Sequence, residues 1–237
     1  MIDPTGMEAD HIIVNENNEI VGGEIDGDLN IYRGKQDENG NWVKTDEVVG
    51  QLVNDYQGFR YNEKGGFEGF AEGAKLHTGN VKGFCSGKGL LTSLNNQFEK
   101  EIEGPGGYIA ALAQLAVDSR GPSGLGPLKG SGKYDIKNTL FGGNFYDLYQ
   151  YEDGAYITPR SMGNMLFGAN ARTIFNNKVN ALDKQKYDSK WFYSFFMQKA
   201  GGYNTRTNNT QGTGGWPFYG EHQGSGTSIF EGYFKGL

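Results

Sequence analysis

The sequence predicts an α+β fold in which a small β-rich N-terminal part precedes a mostly helical, loop-rich part. Two observations support this prediction. Short β-branched runs and hairpin signals fill the first 60 residues of the 237-residue chain, whereas apolar residues at helical spacing prevail from about residue 89 onward. An aromatic content of 14% is sufficient for a packed core, although the chain is polar overall, with a mean hydropathy of −0.61.

The N-terminal part is predicted to contain strands over residues 11–60. The pair Asn39-Gly40 separates two strand-like runs, and Asn-Gly is the strongest short-range hairpin signal. The Gly-rich segment that follows, residues 58–73, is too interrupted for a regular element. Leucine and phenylalanine then recur at helical spacing over residues 89–103, which predicts a helix.

The middle of the chain alternates between ordered and irregular patterns. Residues 107–119 are predicted to form a short apolar helix, and the Pro- and Gly-dense residues 120–138 a loop. Residues 142–158 favour a hairpin. A helical pattern follows over residues 159–179, where apolar residues fall on one side.

The C-terminal region is predicted to contain two further helices. The first covers residues 188–202, with Asp188 or Ser189 as its N-cap and Gly201 as its end. The tail after it is expected to form a long Gly- and Asn-rich loop and then a short terminal helix.

Charge is divided unevenly along the chain. Residues 1–106 carry 9 Lys and Arg against 19 Asp and Glu, whereas residues 107–237 carry 13 against 9. The second half is therefore expected to meet an anionic partner, and the first half is not. A purely solubilising role for the acidic half is the alternative.

Several classes of protein are disfavoured by the composition. No apolar run approaches the roughly 18 residues that a membrane helix needs, so no membrane segment is expected. The first residues are also too polar for a signal peptide. Cys85 is the single cysteine and cannot form an internal disulfide, and no Cys/His cluster has zinc spacing. We expect neither a metal site nor a cofactor.

The opening of the chain contains an Asp-Pro-x-Gly turn at residues 2–7, IDPTGM. It resembles the end of the Rhs-repeat core, where a β-cocoon shell finishes and a variable toxin tip follows. The resemblance implies that residues 1–9 are the remnant of the core end, residues 10–85 a β-rich acidic leader and residues 86–237 the toxin domain. An ordinary type I turn with Pro at its second position is the alternative interpretation.

The same resemblance implies a biological setting. The protein would be secreted and delivered into a target cell by a specialised secretion system, without a signal peptide of its own in this chain. Its expected partners are the upstream Rhs shell before release and a cognate immunity protein that protects the producer.

Four segments of the second half resemble, in order, the polymorphic toxin type 44 family: DIKN, MGNMLFGANAR, WFY and YGEHQGSGTSIFEGY. That family carries a Gly-Asn-x-x-x-Gly segment, a Tyr-Gly-acid segment and an Ile-x-x-Gly ending. It often has two acids after Tyr-Gly, whereas here Glu221 is followed by His222. The resemblance implies a hydrolase that cleaves RNA in the target cell.

The residues of the second of these segments suggest a binding surface. Asn164, Gly168 and Arg172 are spaced i, i+4 and i+8, so a helix would present them on one face. Gly168 would leave space for a ligand, and the guanidinium of Arg172 suits a phosphate or a carboxylate. An arginine that stabilises a neighbouring loop is an equally good interpretation of Arg172.

The last segment supplies candidate catalytic groups. RNA cleavage needs a base for the 2′-hydroxyl and an acid for the leaving oxygen, and we assign these roles to Glu221 and His222. Arg172 would stabilise the charge that develops on phosphorus, and Asn164 would position the scissile group. This assignment requires Glu221 and the Arg172 guanidinium to lie within about 10 Å of each other. A surface Glu/His pair before a helix is the alternative.

Other residues have weaker claims. Arg160 is a further candidate for substrate binding. Trp216, Phe218 and Tyr219 offer rings that stack on bases or sugars, but anchoring of the Gly-rich loop into the core is the favoured interpretation of these aromatic residues. His11 and His77 have no sequence neighbours at catalytic or metal spacing and are interpreted as incidental.

Two other classes of function stay open. The first is a peptidoglycan hydrolase, muramidase-like, that acts in the target periplasm. Glu221 would be its general acid, and Asp135 or Asp147 would be the second carboxylate. The second is a non-catalytic binding module.

Overall fold

The computed structural model describes residues 10–61, 67–103, 134–178, 184–185, 187–208, 216–218 and 223–237. The chain divides into two compact units. The first comprises Met1–Tyr61, Phe67–Leu90 and Asn144–Pro159, and the second comprises Asn62–Gly66, Leu91–Gly143 and Arg160–Leu237. The sequence-based division at residue 85/86 follows chain order, whereas the first unit also takes in a hairpin from the middle of the chain.

The first unit contains a seven-stranded mixed sheet with strand order β2-β1-β3-β4-β9-β8-β7. Its strands are β1 Asp10–Val14, β2 Ile20–Ile25, β3 Asn30–Gln36, β4 Trp42–Leu52, β7 Leu76–His77, β8 Leu148–Glu152 and β9 Ala155–Ile157. A separate two-stranded sheet pairs β5 Phe59–Tyr61 with β6 Phe67–Phe70. These two short strands occupy the segment that the sequence predicted to be irregular, so that prediction is wrong.

The predicted hairpin at Asn39-Gly40 is confirmed between β3 and β4. Gly40 has φ = 82°, a left-handed conformation that glycine adopts without steric cost. Its N–H donates to the carbonyl of Asp37 at 3.0 Å, and the Asp37 carboxylate accepts the N–H groups of Asn39 and Asn41. The predicted hairpin over residues 142–158 is also present, as the antiparallel pair β8–β9.

The core of the first unit forms beneath the large sheet from strand residues and adjoining turns. It consists of Ile12, Val14, Ile20, Ile31, Leu52, Ala71, Ala74, Leu76, Leu148 and Tyr156. Strand β7 pairs with β8 and β4 pairs with β9, each in parallel. Residues from distant parts of the chain therefore meet in this core. Burial of these aliphatic side chains is the main source of the unit's stability.

A buried amide holds the chain where it leaves β9. The Gln57 side chain is fully buried. Its Oε1 accepts the Thr158 N–H at 2.8 Å and the Thr158 hydroxyl at 2.9 Å, while its Nε2 donates to Asn54 Oδ1 at 2.7 Å. Thr158 directly precedes Pro159, the first residue of the next helix, a position that proline favours.

Gln57→Ala is expected to lower the free energy of unfolding by about 1–3 kcal/mol, because it removes the acceptor of two buried Thr158 donors. Urea denaturation of the full chain measures the loss. Gln51→Ala is the matched control, because Gln51 is exposed and its side chain donates to Asn30 Oδ1 at the surface. Its expected effect is within about 0.5 kcal/mol. Equal losses in the two variants would contradict the role of the buried amide.

Five helices are described outside the sheets: α1 Gly87–Glu103, α2 Ile136–Thr139, α3 Pro159–Lys178, α4 Ser189–Asn208 and α5 Gln223–Phe234. The α+β fold class, with N-terminal strands before helices, is confirmed. The cap of α4 is the predicted one, since Asp188 Oδ1 accepts the N–H of Trp191 at 2.7 Å. The predicted end at Gly201 is wrong, because α4 continues to Asn208. A glycine inside a helix costs only about 1 kcal/mol relative to alanine.

One predicted loop contains a short helix, and two predicted segments lie outside the described residues. The short helix α2 lies in the segment predicted as a loop, and it begins after Asp135. The predicted helix over residues 107–119 lies outside the described residues, as do residues 1–9. None of the helices in the described ranges combines the length and apolarity that a membrane crossing requires.

In the second unit, α3 contacts each of the four other helices. Toward α1, Asn95 Nδ2 donates to Asn170 Oδ1 at 2.8 Å. Toward α4, the rings of Phe167 and Phe196 pack with centroids 4.7 Å apart. Toward α2, the position of Gly163 faces the Ile136 side chain.

The contact between α3 and α5 joins their backbones directly. A Cβ atom at Gly168 would lie 2.1 Å from the Ile229 carbonyl oxygen, and one at Gly232 would lie 2.0 Å from the Met165 carbonyl oxygen. No side chain fits in these gaps, so only glycine allows this approach. The glycines of the two segments that resemble the toxin family therefore have a structural role: they bring α3 and α5 together.

Candidate active site

Arg172 lies where three helices of the second unit meet. Its Nη1 donates to Ser189 Oγ at the start of α4, and its guanidinium lies over the rings of Phe175 and Tyr233, 5.5 and 5.4 Å from their centroids. Burial raises the pKa of the Tyr233 hydroxyl, although hydrogen bonds with Ser189 and Arg172 oppose this effect. These contacts favour the structural interpretation of Arg172, as a link between α3, α4 and α5.

Gly168 does not offer the open space that the sequence analysis expected. The backbone of α5 fills the volume beside it, so a ligand cannot approach there, and we withdraw Gly168 as a substrate-binding residue. Asn164, one turn earlier on α3, is half-buried. Its side chain makes no hydrogen bond within the described part of the chain and is therefore available to a ligand.

Arg160 belongs to the first turn of α3, and its side chain reaches the first turn of α5. Its Nη2 is 3.4 Å from Ser225 Oγ, and Ser225 follows His222 by three positions in the sequence. Within the described ranges no carboxylate forms an ion pair with Arg160. The first turn of a helix carries unpaired N–H groups and a partial positive charge. An unpaired guanidinium and this helix end together favour an anion.

The two arginines of α3 contact opposite ends of α5. Arg160 contacts Ser225 near its start, and Arg172 contacts Tyr233 near its end. Twelve residues separate the arginines, which corresponds to about 18 Å along α3. Of the two arginines, Arg160 therefore contacts the residue that is closer in sequence to the Tyr-Gly-Glu-His segment.

Three predicted site residues, Tyr219, Glu221 and His222, lie outside the described residues, and so does the predicted distance between Glu221 and Arg172. Trp216 is described and is 42% exposed. Its ring packs against Tyr193 in a T-shaped contact, and the Lys190 ammonium lies 4.7 Å from its centroid. Trp216 thus combines an anchored edge with an accessible surface.

The interpretation of His77 as incidental is wrong, because His77 has a carboxylate partner. Its Nε2 lies 2.7 Å from Asp147 Oδ2, and Asp147 Oδ1 accepts the N–H of Lys75 at 2.9 Å. The imidazole also stacks on Tyr149, with centroids 4.4 Å apart. The parallel pairing of β7 with β8 creates this arrangement from residues 70 positions apart, so no local sequence signal reveals it.

This carboxylate–imidazole pair has the form of an oriented general base. It lies in the first unit, however, which carries 7 Lys and Arg against 18 Asp and Glu. A negatively charged surrounding disfavours a polyanionic substrate. We therefore treat His77 and Asp147 as a secondary candidate for catalysis.

His11 also has a partner, with Nδ1 2.7 Å from Asp26 Oδ2. Together with Asp28 these residues form a group whose ligand atoms lie within 4.8 Å of one another, a spacing that a metal ion requires. The Lys44 ammonium, however, is 3.7 Å from Asp26 Oδ2, and the Tyr32 hydroxyl donates to Asp28. Burial alone raises the pKa of Asp26, but the hydrogen bond with His11 helps to lower it overall. The negative charge of the two carboxylates is therefore already compensated by Lys44 and by the hydrogen bond from Tyr32.

The muramidase hypothesis requires a second carboxylate. Its two candidates, Asp135 and Asp147, each have partners that explain their position in the structure. The Asp135 carboxylate is buried, accepts Asn138 Nδ2 at 2.6 Å and lies 3.6 Å from the Lys137 ammonium. Asp147 is held by Lys75 and His77 in the first unit. Contacts within the described part of the chain thus account for the position of each carboxylate without a bound glycan.

No protein-family model, curated protein or solved structure matches the chain. The resemblance to the polymorphic toxin type 44 family therefore stays a prediction from the sequence motifs.

Proposed function

We propose that this chain is the effector of a polymorphic toxin and that its second unit cleaves RNA in the target cell. The observation that carries the proposal is the position of Arg160. Its guanidinium, which forms no ion pair with any described residue, lies at the first turn of α5, the helix that follows the Tyr-Gly-Glu-His segment in the sequence. The charge of this region supports the proposal, since residues 160–237 carry nine Lys and Arg against four Asp and Glu.

The proposed reaction is an internal transesterification. Glu221 removes the proton of the 2′-hydroxyl, whose oxygen attacks phosphorus, and His222 donates a proton to the leaving 5′-oxygen. The bond from phosphorus to that oxygen breaks, and a cyclic phosphate remains. Arg160 stabilises the charge on the phosphoryl oxygens in the transition state. Asn164 lies one turn along α3 on the same face as Arg160 and orients the phosphate.

The setting of the toxin belongs to the same proposal. Delivery by a specialised secretion system, release from an upstream Rhs shell and neutralisation by a cognate immunity protein all follow from the resemblance of the opening segment. The proposed site is cationic, so an immunity protein that blocks it would present an acidic surface.

Expression of the chain in the cytosol of a bacterial host is expected to kill the host and degrade its RNA. Expression with an added export signal, which sends the chain to the periplasm, is expected to be tolerated. Killing only from the periplasm would favour the peptidoglycan hydrolase, and tolerance in both compartments would favour a binding module. Either result contradicts RNA cleavage in the cytosol.

Purified Glu221→Gln protein is expected to cleave RNA about 10²–10⁴-fold more slowly than the wild type, because it loses its general base. The control is His77→Gln, which removes the imidazole that is paired with Asp147 in the first unit and is expected to leave the rate unchanged. Loss of activity in His77→Gln with full activity in Glu221→Gln would move the catalytic site to His77 and Asp147.

A further inference from the structure

Three aromatic rings form a stacked row along α4. Tyr187, just before the helix, Trp191 and Phe195 follow one another at intervals of four residues. The rings of Tyr187 and Trp191 are stacked with centroids 4.1 Å apart, and those of Trp191 and Phe195 are nearly parallel, with an interplanar angle of 7° and centroids 5.6 Å apart. We name these three residues the aromatic ladder.

The aromatic ladder lies on the solvent side of α4. Trp191 is 46% exposed and Phe195 is 40% exposed. The opposite side of the same helix supplies the core, where Phe192, Tyr193, Phe196 and Met197 are buried. Amphipathic helices usually place polar residues on the outer side, and exposed apolar patches mark interaction sites. The fold of α4 therefore does not account for the ladder.

The surroundings of the ladder are cationic. Lys190 is adjacent to Trp191, and in the described part of the chain no carboxylate forms an ion pair with its ammonium. Lys190 also lies over the ring of Trp216, which is itself 42% exposed. Residues 160–237 as a whole carry an excess of Lys and Arg over Asp and Glu. Exposed aromatic rings beside a lysine suit a partner with planar rings and a phosphate backbone.

We propose that the aromatic ladder binds single-stranded RNA. Unpaired bases pack against the exposed parts of Trp191 and Phe195, and the backbone phosphates face Lys190. A duplex does not bind in this way, because its bases are already stacked on one another. The inference rests on the proposed function, since the strand held by α4 is the strand that the second unit cleaves.

Binding is measured by fluorescence anisotropy with the full chain and a fluorescein-labelled 2′-O-methyl oligouridylate, which has no free 2′-hydroxyl and is not cleaved. Trp191→Ala and Phe195→Ala are each expected to weaken binding on the order of 5- to 100-fold. Trp191→Phe retains an aromatic ring and is expected to lose less. The control Val48→Ala removes an apolar side chain that is 49% exposed in β4 of the first unit and is expected to leave the Kd unchanged.

A parallel assay of ribo-oligonucleotide cleavage separates the two proposals. If the wild type cleaves RNA and both alanine variants bind the probe as tightly as the wild type, the ladder inference is wrong and the proposed function stands. If the wild type binds the probe through the ladder but cleaves nothing, the proposed function is wrong and the ladder stands. No binding by the wild type, or equal affinity for a duplex of the same length, overturns the ladder inference. Unchanged melting temperatures of the variants confirm that they fold.

Discussion

Arg160→Ala is expected to reduce RNA cleavage by about 10²–10³-fold, the typical cost of losing one donor that stabilises transition-state charge. Its melting temperature is expected to stay close to that of the wild type, because the Arg160 side chain forms no ion pair within the described residues and its contact with Ser225 is long, at 3.4 Å. Cleavage of a labelled ribo-oligonucleotide by the purified chain measures the first effect, and thermal unfolding measures the second.

The matched control for this prediction is Arg172→Ala. Arg172 donates to Ser189 and lies over two aromatic rings, so its removal is expected to lower the free energy of unfolding by about 1–3 kcal/mol. Activity per folded molecule should remain. The reverse pattern, with an inactive but stable Arg172→Ala and an active Arg160→Ala, would return the phosphate-binding role to Arg172.

Gly168→Ala is expected to lower the free energy of unfolding by about 3 kcal/mol or more, at the upper end of overpacking effects. The added Cβ would lie 2.1 Å from the Ile229 carbonyl oxygen. A backbone carbonyl cannot rotate away as a side chain does, so α3 and α5 must separate. Urea denaturation and the loss of toxicity in the cytosol both report this effect.

Gly163→Ala provides the control on the same helix. Its Cβ would meet the Ile136 side chain at 3.7 Å, an ordinary contact, and alanine favours a helix over glycine by up to about 1 kcal/mol. This variant is therefore expected to be as stable as the wild type or slightly more stable. A loss in Gly163→Ala that equals the loss in Gly168→Ala would show that the contact between α3 and α5 is not the specific cause.

Local signals in the sequence were sufficient to predict most helices and strands. The turn at Asn39-Gly40 and the cap at Asp188 are set by neighbouring residues, and both are confirmed. The end of α4 was mispredicted, because a glycine inside a helix costs only about 1 kcal/mol relative to alanine, which other contributions override. The pairing of β5 with β6 was missed, since strands of three and four residues in a Gly-rich segment are too short to show a periodicity.

The site was harder to predict than the fold for a physical reason. The spacing of Asn164, Gly168 and Arg172 correctly gives one face of a helix, but spacing does not reveal what covers that face. A glycine that admits a ligand and a glycine that admits a second helix have the same sequence signature. The partners of His77 and Arg160 come from residues 70 and 65 positions away, and single-sequence patterns contain no information on such distances.

The insertion of β8 and β9 between β4 and β7 also affects when the sheet can form during synthesis of the chain. The ribosome produces β1–β7 first, then residues 91–143 of the second unit, and only afterwards the hairpin that lies between β4 and β7 in the sheet. Until residue 159 has emerged, β4 and β7 each present an unpaired edge on the side where the hairpin will insert. Exposed strand edges are sites of intermolecular pairing, and contacts between distant segments form slowly. The nascent protein therefore passes through a period in which aggregation competes with completion of the sheet.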